Sequence, residues 1–371
     1  MPVTDRQQHK ARKVPIGVRL SRGKQWVKGM APYVGKTLTL QRPIANVLYR
    51  RRTSCAGLDE YFALTVNEQP QWLRIRGQSK MNPVLLYLHG GPGGSQIPSY
   101  RHYQLPWEEH FTVVHWEQRG TGKSWSRTLN PKTMTLPQLI ADAKEVINFL
   151  HQRFAHCPII LLGHSWGTFL AAHLLQDDLP GVAAYIGVGQ VGDQPKAERV
   201  MWRFALDAAE QNQNQPALAA LRFADYPVAN PMLHAQVGAV RRWASHYGYL
   251  GSTSEDAART YQRLMNTPEY SLYDIYRFLQ GTLLSSFTLS RTLLCDQAAQ
   301  PVNLDLRSRV PVHLVSGERD HYTPLAESQA WLSSIEAPEV SHVTFAKSGH
   351  YPNEDEPDRF LARLREIMSC L

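Results

Sequence analysis

Gly163-His164-Ser165-Trp166-Gly167 sets a serine between two glycines at the spacing G-x-S-x-G. A serine hydroxyl is a weak nucleophile that becomes useful only beside a base and a group that orients the base. What surrounds the pentapeptide indicates how such a serine would be presented. Pro158 to Leu162 is an apolar run of strand length, as expected of a strand buried on both faces. After the serine, Phe169, Leu170, His173 and Leu174 recur at helical spacing, with the small residues Ala171 and Ala172 between them. A strand that turns into a helix within one residue strains the backbone at that residue, and glycines at 163 and 167 relieve the crowding. Ser165 then stands clear of the sheet at a helix N-terminus. There the amide of Trp166 and the helix dipole favour a developing negative charge.

An acid and a histidine follow in order. Val310-Pro-Val-His-Leu-Val-Ser-Gly317 predicts a buried strand that leaves Asp320 in the loop at its carboxyl end. Val343-Thr-Phe-Ala-Lys-Ser-Gly-His350 repeats the design one strand later. Loops after successive parallel strands meet at one edge of a sheet, so Ser165, Asp320 and His350 are the candidate nucleophile, orienting acid and general base. The competitors fit less well. His89 and His115 lie at strand ends, where loop support is expected, and His164 lies inside the turn. His321 adjoins Asp320 too closely to meet its carboxylate well, and neither Asp296 nor Asp305 follows a buried strand.

Upstream, Pro83-Val-Leu-Leu-Tyr-Leu-His89 runs into Gly90-Gly91-Pro92-Gly93-Gly94. A glycine-rich loop after a buried strand lets bare backbone approach a ligand. The amide of Gly91 is the candidate second donor to an oxyanion, together with that of Trp166; each such donor is worth about 2.7 to 4 kcal/mol in a transition state. A phosphate loop is excluded at this position, because the lysine and the spacing it needs are missing. Gly120-Thr-Gly-Lys-Ser124 imitates a phosphate loop more closely, yet lacks the earlier glycine. Arg119 is expected to brace that loop by hydrogen bonds.

Taken together, His89 to Gly94, Glu117-Gln-Arg-Gly-Thr-Gly-Lys-Ser124 and Gly163 to Gly167 resemble the H-G-G-P-G-G, D-Q-R-G-x-G-x-S and G-x-S-W-G segments of the α/β-hydrolase superfamily, in its proline iminopeptidase-like branch. The resemblance covers roughly residues 58 to 188 and 309 to 371, with Glu117 where those peptidases carry aspartate. It implies an α/β fold with a mostly parallel sheet flanked by helices and an inserted helical cap. The implied activity is release of an amino-terminal residue, proline above all, from small peptides, with acidic groups in the cap holding the substrate ammonium. No W-E-G or E-N-H-Y-F segment of the better-known peptidases is present.

The elements that must position these residues can be traced along the chain. Its 371 residues, 43% of them hydrophobic, suffice for a large core. Cys55, Cys157, Cys295 and Cys370 lie far apart and form no C-x-x-C pair. A reduced, cytoplasmic protein without a metal site, cofactor or disulfide framework is expected, and no apolar run is long enough for a membrane span. The net charge of +8 is unevenly spread: residues 1–57 hold thirteen Lys or Arg against Asp5 alone, a balance of +12, and the remainder is at −4. This basic arm is expected either to drape over the core through Trp26, Tyr33 and Val34 or to meet an anionic partner; a transit segment would be richer in serine.

Residues 58–190 then read as the first part of the core. Tyr61 to Val66 and Trp72 to Arg76 alternate like antiparallel edge strands, Phe111 to Trp116 and Val182 to Val188 are buried strands, and Thr135 caps a helix reaching Phe154. In residues 191–309 helical periodicity dominates, with helices expected over 197–211, 217–224, 254–265 and 267–287, the last capped by Thr267. This cap is rich in aromatic residues and offers Glu198 and Asp207 as candidate substrate-binding acids. Residues 310–371 complete the core and close with a helix over Pro357 to Met368. The chemistry expected is acyl transfer to water. Two alternatives stay open: an esterase or amidase for an apolar acyl group, and an idle scaffold whose arm binds an acidic partner.

Overall fold

A computed structural model describes residues 57–223, 225–249 and 253–371, with side chains from 259 onward in the last stretch. The basic arm, with Trp26, Tyr33, Val34 and Cys55, therefore lies outside the described residues.

Among the described residues, eight strands form one sheet: β1 (Leu58–Val66), β2 (Gln69–Gly77), β3 (Val84–Leu88), β4 (Thr112–Glu117), β5 (Ile159–His164), β6 (Val182–Val188), β7 (Val312–Gly317) and β8 (Val340–Phe345). Their order is β1-β2-β4-β3-β5-β6-β7-β8. β1 pairs antiparallel with β2 and β2 antiparallel with β4; every later pairing is parallel. The expected hairpin is present, turning through Asn67 and Glu68, both at positive φ. Only β1 of that pair is an edge strand, however, because β2 continues into the sheet through β4.

The sequence of β3 shows why the sheet is buried on both sides. Val84, Leu86 and Leu88 enter one apolar cluster and Leu85 and Tyr87 the other, as the two-residue repeat of a strand requires. β5 divides likewise, Ile159 and Leu161 from Ile160 and Leu162. The first cluster is covered by helices α1 (Leu136–Arg153) and α2 (Trp166–Leu174), with Thr135 capping α1 through the amide of Gln138.

Between β6 and β7 the described chain is helical: α3 (Gln194–Gln211), α4 (Gln215–Leu221), α5 (Leu233–His246), α6 (Thr253–Asn266) and α7 (Leu272–Cys295). Two expectations need correction. The last helix does not start at Thr267, whose hydroxyl accepts the amide of Glu269 in a local turn. It starts after Ser271, where Ser271 and Asp274 form a reciprocal capping box, and it continues to Cys295. Helix α5 has no counterpart among the expected helices, because it opens at Leu233 without a side-chain cap to announce it. Helices α8 (Leu325–Ser334), α9 (Pro352–Asp355) and α10 (Pro357–Met368) complete the fold, and Phe360, Leu364 and Ile367 of α10 pack on the second cluster. No helix among the described residues is long and apolar enough to cross a membrane.

The sheet order decides where a site can form. From β3 the chain crosses to β4 on one side, then returns past β3 to β5 on the other. Connections that leave neighbouring strands in opposite directions open a crevice at the strands' carboxyl ends. The loops after β3 and β5 are the glycine-rich loop and the serine turn.

Candidate active site

Ser165 follows β5 directly and precedes the first residue of α2, with φ 51° and ψ −118°. A non-glycine residue at positive φ is strained and persists only where its surroundings over-determine it. Here the amide of Ser165 donates to the carbonyl of Val188 at 3.0 Å, fixing the turn to the end of β6. The helix must also lie very close to the sheet: a Cβ at Gly167 would stand 1.9 Å from the carbonyl oxygen of Leu88 on β3. Being at the start of α2, the amide of Trp166 has no intrahelical acceptor.

Asp320 and His350 meet. The loop after β7 carries Asp320, fully buried, and the loop after β8 carries His350, whose Nδ1 lies 2.8 Å from Asp320 Oδ2. The carboxylate is held from both sides, since the amides of Tyr322 and Thr323 donate to Oδ1 at 2.9 and 3.0 Å and the Thr323 hydroxyl donates to Oδ2 at 2.7 Å. Burial alone would raise its pKa. His350 and the donors from Thr323 outweigh burial and hold it below the ordinary aspartate value. Gly189 makes room for the pair: a Cβ there would reach within 2.9 Å of Thr323 Oγ1 and 3.3 Å of the imidazole.

His164 joins the serine turn to the histidine loop. Its Nε2 lies 2.8 Å from the carbonyl oxygen of His350, and the two imidazoles are 4.8 Å apart. Burial lowers its pKa to about 3, so the ring is neutral and Nε2 carries the donated proton. On the other side of the turn, His89 plays a similar part. Its pKa is lowered to about 4 by burial, Nδ1 donates to the carbonyl of Gly90 at 2.9 Å, and Nε2 accepts the amide of Gln118 at 3.3 Å. The Gln118 side chain returns to the carbonyl of His89 and accepts the indole N–H of Trp166 at 3.1 Å. One glutamine thus ties the glycine-rich loop, with Gly91 at φ 124°, to the start of α2.

The loop after β4 is braced as expected. Arg119 donates to both carboxylate oxygens of buried Asp142, at 2.6 and 2.8 Å. Buried Glu117 accepts from Tyr61 at 2.8 Å, from Ser95 at 2.9 Å, from the amide of Lys123 at 2.9 Å and from Tyr270 beside α7. Burial pushes its pKa up. Lys123, the lysine of the phosphate-loop imitation, lies over the rings of Tyr61 and Trp72, at 4.1 and 4.7 Å.

Of the two candidate substrate-binding acids, only Glu198 faces inward. It is fully buried and accepts from Tyr226 at 2.6 Å and Arg241 at 2.8 Å. Asp207 lies nine residues along α3, half a turn round at 3.6 residues per turn, and is exposed. Residues missed from the sequence include Thr323, Gln118, Tyr322 and Arg241. Asp320-x-x-Thr323 before Pro324 is an Asx-turn pattern that foretells the first. Nothing local foretells Arg241, which arrives from another helix.

Comparison with known proteins adds four likenesses. Residues 83–357 match the family described as alpha/beta hydrolase fold. The chain is 31% identical to the probable aminopeptidase YbaC of Bacillus subtilis over 80% of its own length and 92% of that protein's. It is 24% identical to a proline iminopeptidase of Heyndrickxia coagulans over 78% and 91%. Among solved structures, a proline iminopeptidase-related protein from Thermus thermophilus superposes with a TM-score of 0.55 at 20% identity, covering 85% of this chain and 98% of that one.

Proposed function

The chain belongs to the alpha/beta hydrolase fold family, and within that family we propose that it is a serine hydrolase that releases the amino-terminal residue of short peptides through an acyl-enzyme. The observation that carries this reading is the 2.8 Å contact of Asp320 Oδ2 with His350 Nδ1, at the sheet edge where Ser165 is held at positive φ. With Nδ1–H donating to the carboxylate, the bare lone pair of His350 is on Nε2, the tautomer a general base needs.

His350 takes the Ser165 proton as Oγ attacks the scissile carbonyl carbon. The oxyanion so formed accepts from the amides of Trp166 and Gly91, and Asp320 stabilises the imidazolium. The C–N bond breaks as His350 gives its proton to the leaving amine. Water then attacks the ester, again through His350, and frees the acid and the serine. The helices α3 to α7 act as a cap over this edge, supported by Tyr270 bonding Glu117 and by Thr282 donating to the carbonyl of Gly93 at 3.0 Å. Peptide specificity is supported by the likeness to the aminopeptidase of Bacillus subtilis.

A second reading, an esterase or amidase, is favoured by one observation: Glu198 is already engaged by Arg241 and offers no open carboxylate to an ammonium. Labelling by a fluorophosphonate at Ser165, with hydrolysis of a prolyl arylamide faster than that of a short-chain nitrophenyl ester, is the expected result. Faster ester hydrolysis supports the second reading, and labelling retained in Ser165→Ala overturns both.

A further inference from the structure

The helices over the site place a cation, not a carboxylate, next to the reacting histidine. Glu198 is fully buried, and its oxygens accept from Tyr226 Oη at 2.6 Å, Arg241 Nη2 at 2.8 Å and, more weakly, Gln194 Nε2 at 3.5 Å. A fully buried carboxylate so surrounded presents no open face to a substrate ammonium, and drawing it away from its guanidinium would leave that charge unpaired.

Arg241 is different. Its side chain keeps 38% of its surface open, and its Nε is buried without a hydrogen-bond partner among the described residues. Only Nη2 is engaged with Glu198 among the described residues. The guanidinium lies 5.5 Å from the centre of the Tyr322 ring, and that ring lies 5.2 Å from the His350 ring. Tyr322 is itself fixed, its amide donating to Asp320 and its carbonyl accepting from Gln194. One aromatic ring therefore separates an incompletely bonded, partly open guanidinium from the imidazole. A guanidinium presents five N–H donors in a planar fork suited to carboxylate, and on this wall the fork is the accessible half of the ion pair.

We propose that Arg241 is a specificity residue that recognises the free C-terminal carboxylate of a di- or tripeptide. The assignment rests on the peptide-hydrolase reading above. The two ring contacts between Arg241 and His350 together come to about the length of three extended residues, at about 3.3–3.6 Å each, so the carboxylate of a longer peptide would overshoot.

The test compares Pro-Ala with Pro-Ala amide, identical at the scissile bond and different only in the terminal charge, and a prolyl arylamide as a carboxylate-free reference. The wild-type protein is expected to favour the free dipeptide at least tenfold in kcat/KM. Arg241→Gln is expected to cut that preference at least tenfold through KM, and Arg241→Lys to restore part of it. Should Arg241→Gln fail to fold, Arg241→Lys carries the comparison, because an ammonium keeps the charge and loses the fork. Equal losses on all three substrates would mean that Arg241 only supports Glu198 and would overturn the assignment. So would a wild-type protein indifferent to amidation, or a Glu198→Gln variant whose KM rises for every substrate with a free amine. Wild-type protein that cleaves these peptides and labels at Ser165 keeps the hydrolase reading even if Arg241 fails. Absence of both labelling and cleavage overturns the two together.

Discussion

The sheet edge and the helices between β6 and β7 hold their polar groups in different ways. At the edge, neutral groups and backbone do most of the holding: His89 and His164 are uncharged, and the carboxylate of Asp320 rests on two amides, a hydroxyl and an imidazole. Among those helices, charges hold charges: Glu198 on α3 meets Arg241 on α5. Where they join the sheet domain, Glu269, in the turn between α6 and α7, meets Arg101 of the segment after β3 at 2.6 Å, and Arg74 of β2 with Arg101 takes its pKa down to about 2 against the opposing effect of burial. The edge is thus built to fix one geometry, and the helices are built to present charge. Chemistry is expected to fail when the first is altered, and substrate choice to change when the second is.

The largest expected effect follows from the orienting acid. In Asp320→Asn the amide offers an N–H to Nδ1 of His350 and so favours the tautomer with its proton on Nε2, where the base is needed. A loss of about 10⁴-fold in kcat is expected, with little change in thermal midpoint, because the replacement is isosteric. A loss under tenfold would remove the acid from the mechanism. Glu198→Gln, an equivalent change among the helices, is expected to act through Arg241 alone, changing KM for the free dipeptide and leaving KM for the prolyl arylamide as it was.

Next in size is Gly167→Ala. The added methyl would meet the backbone of β3, which has no rotamer to yield, so the cost is at or above the roughly 1–3 kcal/mol typical of overpacking. A fall in the urea midpoint with an unchanged slope is the expected readout. Activity per folded molecule is expected to fall as well, because the same displacement moves Ser165.

Acid is expected to weaken the edge first. The unfolded-state pKa of histidine is near 6.5, and burial brings His164 to about 3 and His89 to about 4. The unfolded chain therefore binds more protons below about pH 6.5, and stability is lost as pH falls from there toward the folded values. Each such histidine contributes about 1.4 kcal/mol per pH unit. In His164→Gln the side-chain amide can still donate to the carbonyl of His350, and the slope of unfolding free energy between about pH 6 and 4.5 should drop by that amount. An unaltered slope would show that His164 already carries a proton in the folded state. Glu269 works at lower pH: its contribution is complete above the ordinary glutamate pKa and is lost only as pH falls toward about 2.

The same contrast explains what could be read from the chain. β3, β5, β6 and the serine turn were legible because backbone requirements leave local marks: apolar runs of strand length, and glycines where an added Cβ would stand only about 2 to 3 Å from another segment, as at Gly167 and Gly189. Asp320 and His350 were legible because each follows a strand. The helices between β6 and β7 left fewer marks. Glu198 stood out as an acid, but its partner lies 43 residues away on α5 and Tyr226 lies 28 away. Periodicity placed the start of the last helix at Thr267 because threonine followed by proline is a fair start signal; the reciprocal box at Ser271 and Asp274 satisfied more donors and prevailed.

The smallest predicted effect has the opposite sign from Gly167→Ala and comes from the same substitution. Gly238 lies inside α5, where a Cβ would meet nothing within 4 Å. Glycine in a helix interior costs about 0.8–1.0 kcal/mol relative to alanine, chiefly through the freedom it keeps in the unfolded chain. Gly238→Ala should therefore stabilise the protein by up to about 1 kcal/mol, seen as a higher urea midpoint, and leave kcat on the prolyl arylamide as it was. Were kcat to fall while stability rose, α5 would have to move during turnover, and the helices would then share in fixing the reacting geometry.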